Sequence, residues 1–71
     1  NHLAQEETDA LLFLSTNLKT TLLSALDSLS IIIPKTTAKK AKSDLSVLYS
    51  DLRALYRSAQ DLQNSIDLET D

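Results

Sequence analysis

From Ala38 to Ile66 an apolar residue returns at alternating steps of three and four: Ala38, Ala41, Leu45, Leu48, Leu52, Leu55, Ala59, Leu62 and Ile66. This is the heptad spacing, which keeps one stripe of an α-helix turned toward neighbouring helices. The pattern predicts a helix over about 37–68, on the order of 45 Å long at ~1.5 Å rise per residue. With Ala38 as position a, Lys42, Tyr49, Tyr56 and Gln63 fall at e, and Thr37, Asp44, Asp51, Ser58 and Ser65 at g. The tyrosines widen the stripe to three positions in seven, the width of a bundle helix. A parallel two-stranded zipper would set Asp44 against Tyr49, Asp51 against Tyr56 and Ser58 against Gln63. None of these is an ion pair. The seam also lacks β-branched residues at a with leucine at d. A lone leucine zipper is therefore disfavoured.

The first half is periodic too, over about 3–33. On a helical wheel Ala4, Leu11, Leu14, Leu18, Leu22, Ala25, Leu29 and Ile33 share one direction. Leu12, Leu23 and Leu26 widen that face on one side, Leu3 and Ile32 on the other. The stripe is too wide for one neighbour to cover. Phe13 and Ile31 point away from it. The opposite face is Thr16, Asn17, Thr20, Ser24 and Ser28, residues whose side chains compete for backbone hydrogen bonds. Packing, not propensity, must hold this helix. Thr8 is one expected N-cap, with Asp9 in the first turn; a start nearer Asn1 is the other.

The chain has no glycine and one proline, Pro34. Proline disfavours helical geometry in the residue before it, so the first helix should stop at Ile32 or Ile33. A connection over about 33–37 follows, with Thr36 or Thr37 capping the second helix. So short a link favours an antiparallel hairpin over a single kinked rod. The expected class is all-α: a two-helix hairpin that assembles into a four-helix bundle, as a homodimer.

Size gives the reason for assembly. Seventy-one residues bury little core alone and usually need a staple or a partner. There is no cysteine, and His2 is the one histidine, so neither disulfide nor metal staple is expected. The chain does not begin with methionine and reads as one helical interaction domain cut from a larger protein.

Charge is polarised. Lys35, Lys39, Lys40 and Lys42 lie at the loop end; Glu6, Glu7, Asp9, Asp61, Asp67, Glu69 and Asp71 lie at the open end. In the second helix both clusters oppose the macrodipole, so local helix stability did not choose them. Antiparallel two-fold pairing would set each basic loop beside the other copy's acidic end, with Lys39, Lys40, Lys42, Asp67 and Glu69 as orientation charges.

Little here points to chemistry. No histidine is available to a serine, no glycine could build a phosphate loop, and the acidic pairs sit on solvated ends. No catalysis, cofactor, metal or small-molecule substrate is expected. Arg53 and Arg57, one turn apart, could touch a phosphate backbone. Small hairpin dimers of the plasmid Rop type bind RNA with their helix faces; the chain resembles them in architecture alone. With a net charge of −3 and acidic neighbours Asp51 and Asp61, surface pairing is the simpler role for the arginines.

The leading expectation is a non-catalytic interaction module that dimerises a larger protein. Its seam is Leu11, Leu14, Leu18, Leu22, Leu26, Leu29, Leu45, Leu48, Leu52, Leu55, Leu62 and Ile66, with Phe13, Tyr49 and Tyr56 as possible anchors. The tyrosines fit seam-edge packing inside the hairpin at least as well. A different helical partner in a hetero-bundle, or a leucine face laid on a lipid surface, are the alternatives.

Overall fold

The computed structural model describes the backbone of residues 4–70 and the side chains of residues 4–68. The expectations that involve His2, Leu3 and Asp71, and the side chain of Glu69, lie outside them. Two helices, α1 (Gln5–Ile32) and α2 (Lys39–Thr70), pack as an antiparallel hairpin, joined by a 3₁₀ turn at Ile33–Lys35. The kinked rod is excluded. The body measures 52 × 15 × 13 Å, so the helices lie side by side along nearly their whole length.

The turn is built without glycine. Ile33 is still right-handed helical, and the fixed φ of Pro34 suits a 3₁₀ turn, which asks for no proline N–H beyond its first positions. Thr36 then becomes extended (φ −83°, ψ 123°). Its N–H donates to the Ile33 carbonyl at 3.1 Å and its hydroxyl to the Ile32 carbonyl at 2.9 Å. Thr36 therefore closes the end of α1 instead of starting α2. The first residue whose carbonyl serves α2 is Ala38, which accepts from the Lys42 N–H at 2.9 Å.

Of the two expected starts of α1, the one nearer Asn1 is observed. Ala4, with φ −62° and ψ 149°, is its N-cap and offers no side-chain bond. Glu6 and Glu7 stand in the first turn, where the helix dipole favours negative charge. Thr8 is not a cap. It lies inside the helix, 5% exposed, and its Oγ1 has no hydrogen-bond partner among the described residues.

The core is a narrow line. From α1 it takes Leu22, Leu26 and Leu29, with Thr8 and Ser15; from α2, Ala59 and Ile66. Ser15 is fully buried and satisfies itself, its hydroxyl donating to the Leu12 carbonyl at 3.1 Å. The buried line of α1 is therefore rotated from the one its apolar residues predict: Ser15 is in and Leu14 is out, 51% exposed. On α2 the inward rows are a (Leu45, Leu52, Ala59, Ile66) and e (Tyr49, Tyr56, Gln63), all buried or half-buried. The d row is split: Leu62 is half-buried, while Leu48 and Leu55 are exposed.

Candidate functional site

Among the described residues, Thr16, Lys19, Gln60 and Gln63 bond across the hairpin as one cluster. Lys19 of α1 donates its ammonium to the amide oxygens of Gln60 and, at 3.1 Å, of Gln63 on α2. The Gln63 amide nitrogen donates back to the Thr16 hydroxyl at 3.0 Å, and the Gln60 amide nitrogen to Asn64. The Lys19 ammonium also lies 5.6 Å from the centre of the Tyr56 ring, within cation–π range. These bonds mark the side on which the polar edges of the two helices meet.

The opposite side follows from helical geometry. At 100° per residue, Lys19 and Thr16 lie to one side of the buried line of α1, and Leu11, Leu14, Leu18, Ala25 and Ile32 to the other. On α2, Tyr49, Tyr56 and Gln60 lie to the side that meets Lys19, and Leu48, Leu55 and Leu62 to the other. The two leucine edges thus adjoin on the face away from the cluster. Leu14, Ile32, Leu48 and Leu55 on this face are each about half exposed (45–51%), and Leu11, Leu18, Ala25 and Leu62 are half-buried. A contiguous apolar face of this kind on a small domain marks an interaction surface or an aggregation hazard.

Of the seam expected from sequence, Leu22, Leu26, Leu29 and Ile66 are buried inside the hairpin, and Leu45 and Leu52 half-buried there. Leu11, Leu14, Leu18, Leu48, Leu55 and Leu62 border or build the leucine face. Tyr56 is half-buried beside the polar cluster, and Tyr49 is half-buried in the same row, on the side opposite the leucine face. Phe13, 73% exposed, stands on the outer side of α1 and belongs to neither face. Ile31, Val47 and Leu68 are likewise exposed. Lys39, Lys40 and Lys42 are exposed at the loop end, and Asp67 is exposed toward the other.

One ion pair is formed among the described residues, Lys40 to Asp44 at 3.2 Å along α2. Arg53 and Arg57 take none, contrary to the surface pairing expected for them. With Ser50 and Ala54 they line a shallow depression of about 240 Å³ on the outer side of α2. A single helix forms this wall, and its volume falls below the ~300–1,000 Å³ of ligand clefts. Among the described residues no group of histidine, cysteine or carboxylate side chains could hold a metal ion, and no helix is long and apolar enough to cross a membrane.

Sequence reasoning missed the Lys19 cluster. Its signals were Lys19 on the edge of an apolar stripe and Gln63 continuing the tyrosine row, each ordinary by itself. Comparison with protein families, with curated proteins and with solved structures yields no match.

Proposed function

We propose that the chain is a non-catalytic assembly module whose leucine face closes on the same face of a second copy, giving an antiparallel four-helix bundle. The observation that carries this reading is the half-exposed set Leu14, Ile32, Leu48 and Leu55 on one face of the folded hairpin. Covering them removes apolar surface that two helices cannot hide. Left-handed packing near 20° is the expected geometry.

Charge complementarity supports a second copy as the occupant. Lys35, Lys39, Lys40 and Lys42 cluster at the loop, and Glu6, Glu7, Asp9 and Asp61 at the open end. A two-fold axis across the long dimension sets each basic end on an acidic one.

Sedimentation of the purified chain over a range of concentrations tests the reading. The expected result is a reversible monomer–dimer equilibrium with a cooperative melt whose midpoint rises with concentration. A compact, cooperatively melting monomer at every concentration refutes it. A monomer that is poorly folded alone points to a different helical partner instead. Flotation with small liposomes separates a lipid use of the same leucines, and no binding is expected.

A further inference from the structure

We propose that Lys19 is a rotational latch: by holding Gln60 and Gln63 it sets the roll of α2 against α1, and so decides which leucines stay outside. The second half of this statement rests on the self-association reading; the first does not.

Apolar contact by itself does not account for the observed roll. Burial is non-directional and follows area, and α2 offers three adjacent apolar rows, a, d and e. A roll of α2 by about 50° would exchange the e row for the d row. The d row carries Leu48, Leu55 and Leu62; the e row carries Tyr49, Tyr56 and Gln63. On apolarity alone the leucine row is the better one to bury, yet Leu48 and Leu55 are out and the tyrosines are half in. Something directional has overridden the preference.

The cluster supplies direction. Lys19 is half-buried, and it has no carboxylate partner among the described residues. An ammonium there needs acceptors, and Gln60 and Gln63 provide them in the observed roll. Gln63 uses both ends of its amide, accepting from Lys19 and donating to Thr16. Among the described residues, the side-chain bonds between Lys19, Thr16, Gln60 and Gln63 lie on this one side, so α2 is pulled toward its e row and its leucine row is turned away. A buried polar group that fixes register or assembly state at some cost in stability is an established role. Here the state it selects is a hairpin with its leucine face free for a second copy.

The two tyrosines, with no tryptophan in the chain, make the roll directly readable. They sit on the side away from the leucine face, so their emission reports the roll whether or not the chain dimerises. Lys19→Met keeps the aliphatic stem and removes the donors. With helicity retained by circular dichroism, acrylamide quenching of tyrosine emission should rise roughly twofold as the half-covered rings become exposed. The dimer dissociation constant should weaken by at least about tenfold as Leu48 and Leu55 turn inward. Gln63→Met, which leaves Lys19 beside Tyr56, should raise quenching in the same direction, showing that the effect is not loss of the cation from the ring. Lys19→Arg should keep quenching near that of the parent chain. If Lys19→Met loses its helicity, Gln63→Met and Gln60→Met carry the test. Unchanged quenching in the folded variants overturns the latch. A parent chain that stays monomeric overturns the self-association reading, and quenching still decides the roll.

Discussion

Leu14 and Leu23 form a matched pair for testing which face of the hairpin is used. Both are leucines in the interior of α1, and their exposures are 51% and 48%. They lie on opposite sides of the buried line, Leu14 on the leucine face and Leu23 on the side of the Lys19 cluster. Glutamine is a good helix former, and its stem keeps most of the contact each residue makes inside the hairpin. Leu14→Gln and Leu23→Gln should therefore lower hairpin stability about equally. They should differ in association. Full burial of a leucine contributes about 1.5–3 kcal/mol, so covering its exposed half contributes ~1 kcal/mol. A two-fold interface contains the residue twice, and Leu14→Gln should cost ~2 kcal/mol per dimer, about thirtyfold in the dissociation constant. Leu23→Gln should leave that constant within about twofold of the parent value. Sedimentation equilibrium reads the constants, and urea melts at fixed protomer concentration check that the hairpins remain comparable. Equal weakening by the two substitutions, or none by Leu14→Gln, would refute the assignment of the face.

Thr8→Val removes a buried hydroxyl without a partner among the described residues at nearly constant volume and should stabilise by about 1 kcal/mol, raising the melting temperature by ~4–8 °C. Thr16→Val deletes an acceptor that Gln63 uses and should destabilise by about 0.5–1.5 kcal/mol in the same melts. Leu22→Ala, at a site 5% exposed, should cost about 2–5 kcal/mol and leave little cooperative transition in a chain of this size. Joint reversal of Lys39, Lys40 and Lys42 to Glu should weaken the dimer at low salt by about tenfold or more, a loss that shrinks at high salt. Equal association of that variant and the parent at low salt would remove charge from the account of orientation.

The helices and their connection were legible because their signals are local. A heptad run without glycine or proline permits one long helix, and Pro34 permits one break. The outward placement of Phe13 and Ile31, and the half-buried tyrosines, followed from the same wheels. The roll of each helix did not. A wheel weights residues by apolarity, so it put Leu14 near the centre of the buried line of α1 and gave Ser15 no place. Yet Ser15 is buried because its hydroxyl bonds within its own turn and asks nothing of the partner helix. The threonine caps misled for a related reason. Thr36 found acceptors in the turn behind it, at Ile32, and so was not available to α2. Which of several adequate local bonds a side chain makes is decided by tertiary placement, which one sequence does not display.

On the self-association reading, the division of the hairpin into two unlike faces bears on how two copies would lie. The molecule is 52 Å long, several times the Debye length of ~8 Å at physiological ionic strength. Charges at one end therefore do not feel those at the other, and each end of an assembly is judged separately. If the two-fold axis ran along the hairpin, both loops would meet, with Lys35, Lys39 and Lys40 of each copy within screening range of the same residues of the other. Across the hairpin, each lysine group meets Glu6, Glu7 and Asp9 of its neighbour instead. Each exposed pair is worth ~1 kcal/mol or less, which is small beside the burial of the leucines. Apolar contact, however, is nearly indifferent to end-over-end reversal of a leucine row, so a small directional term is enough to select between the two arrangements. The proposed latch applies the same logic inside the monomer, where three hydrogen bonds at Lys19 and Thr16 would hold a roll that apolarity alone does not favour. On both proposals bulk burial drives association, and a few polar groups decide its geometry.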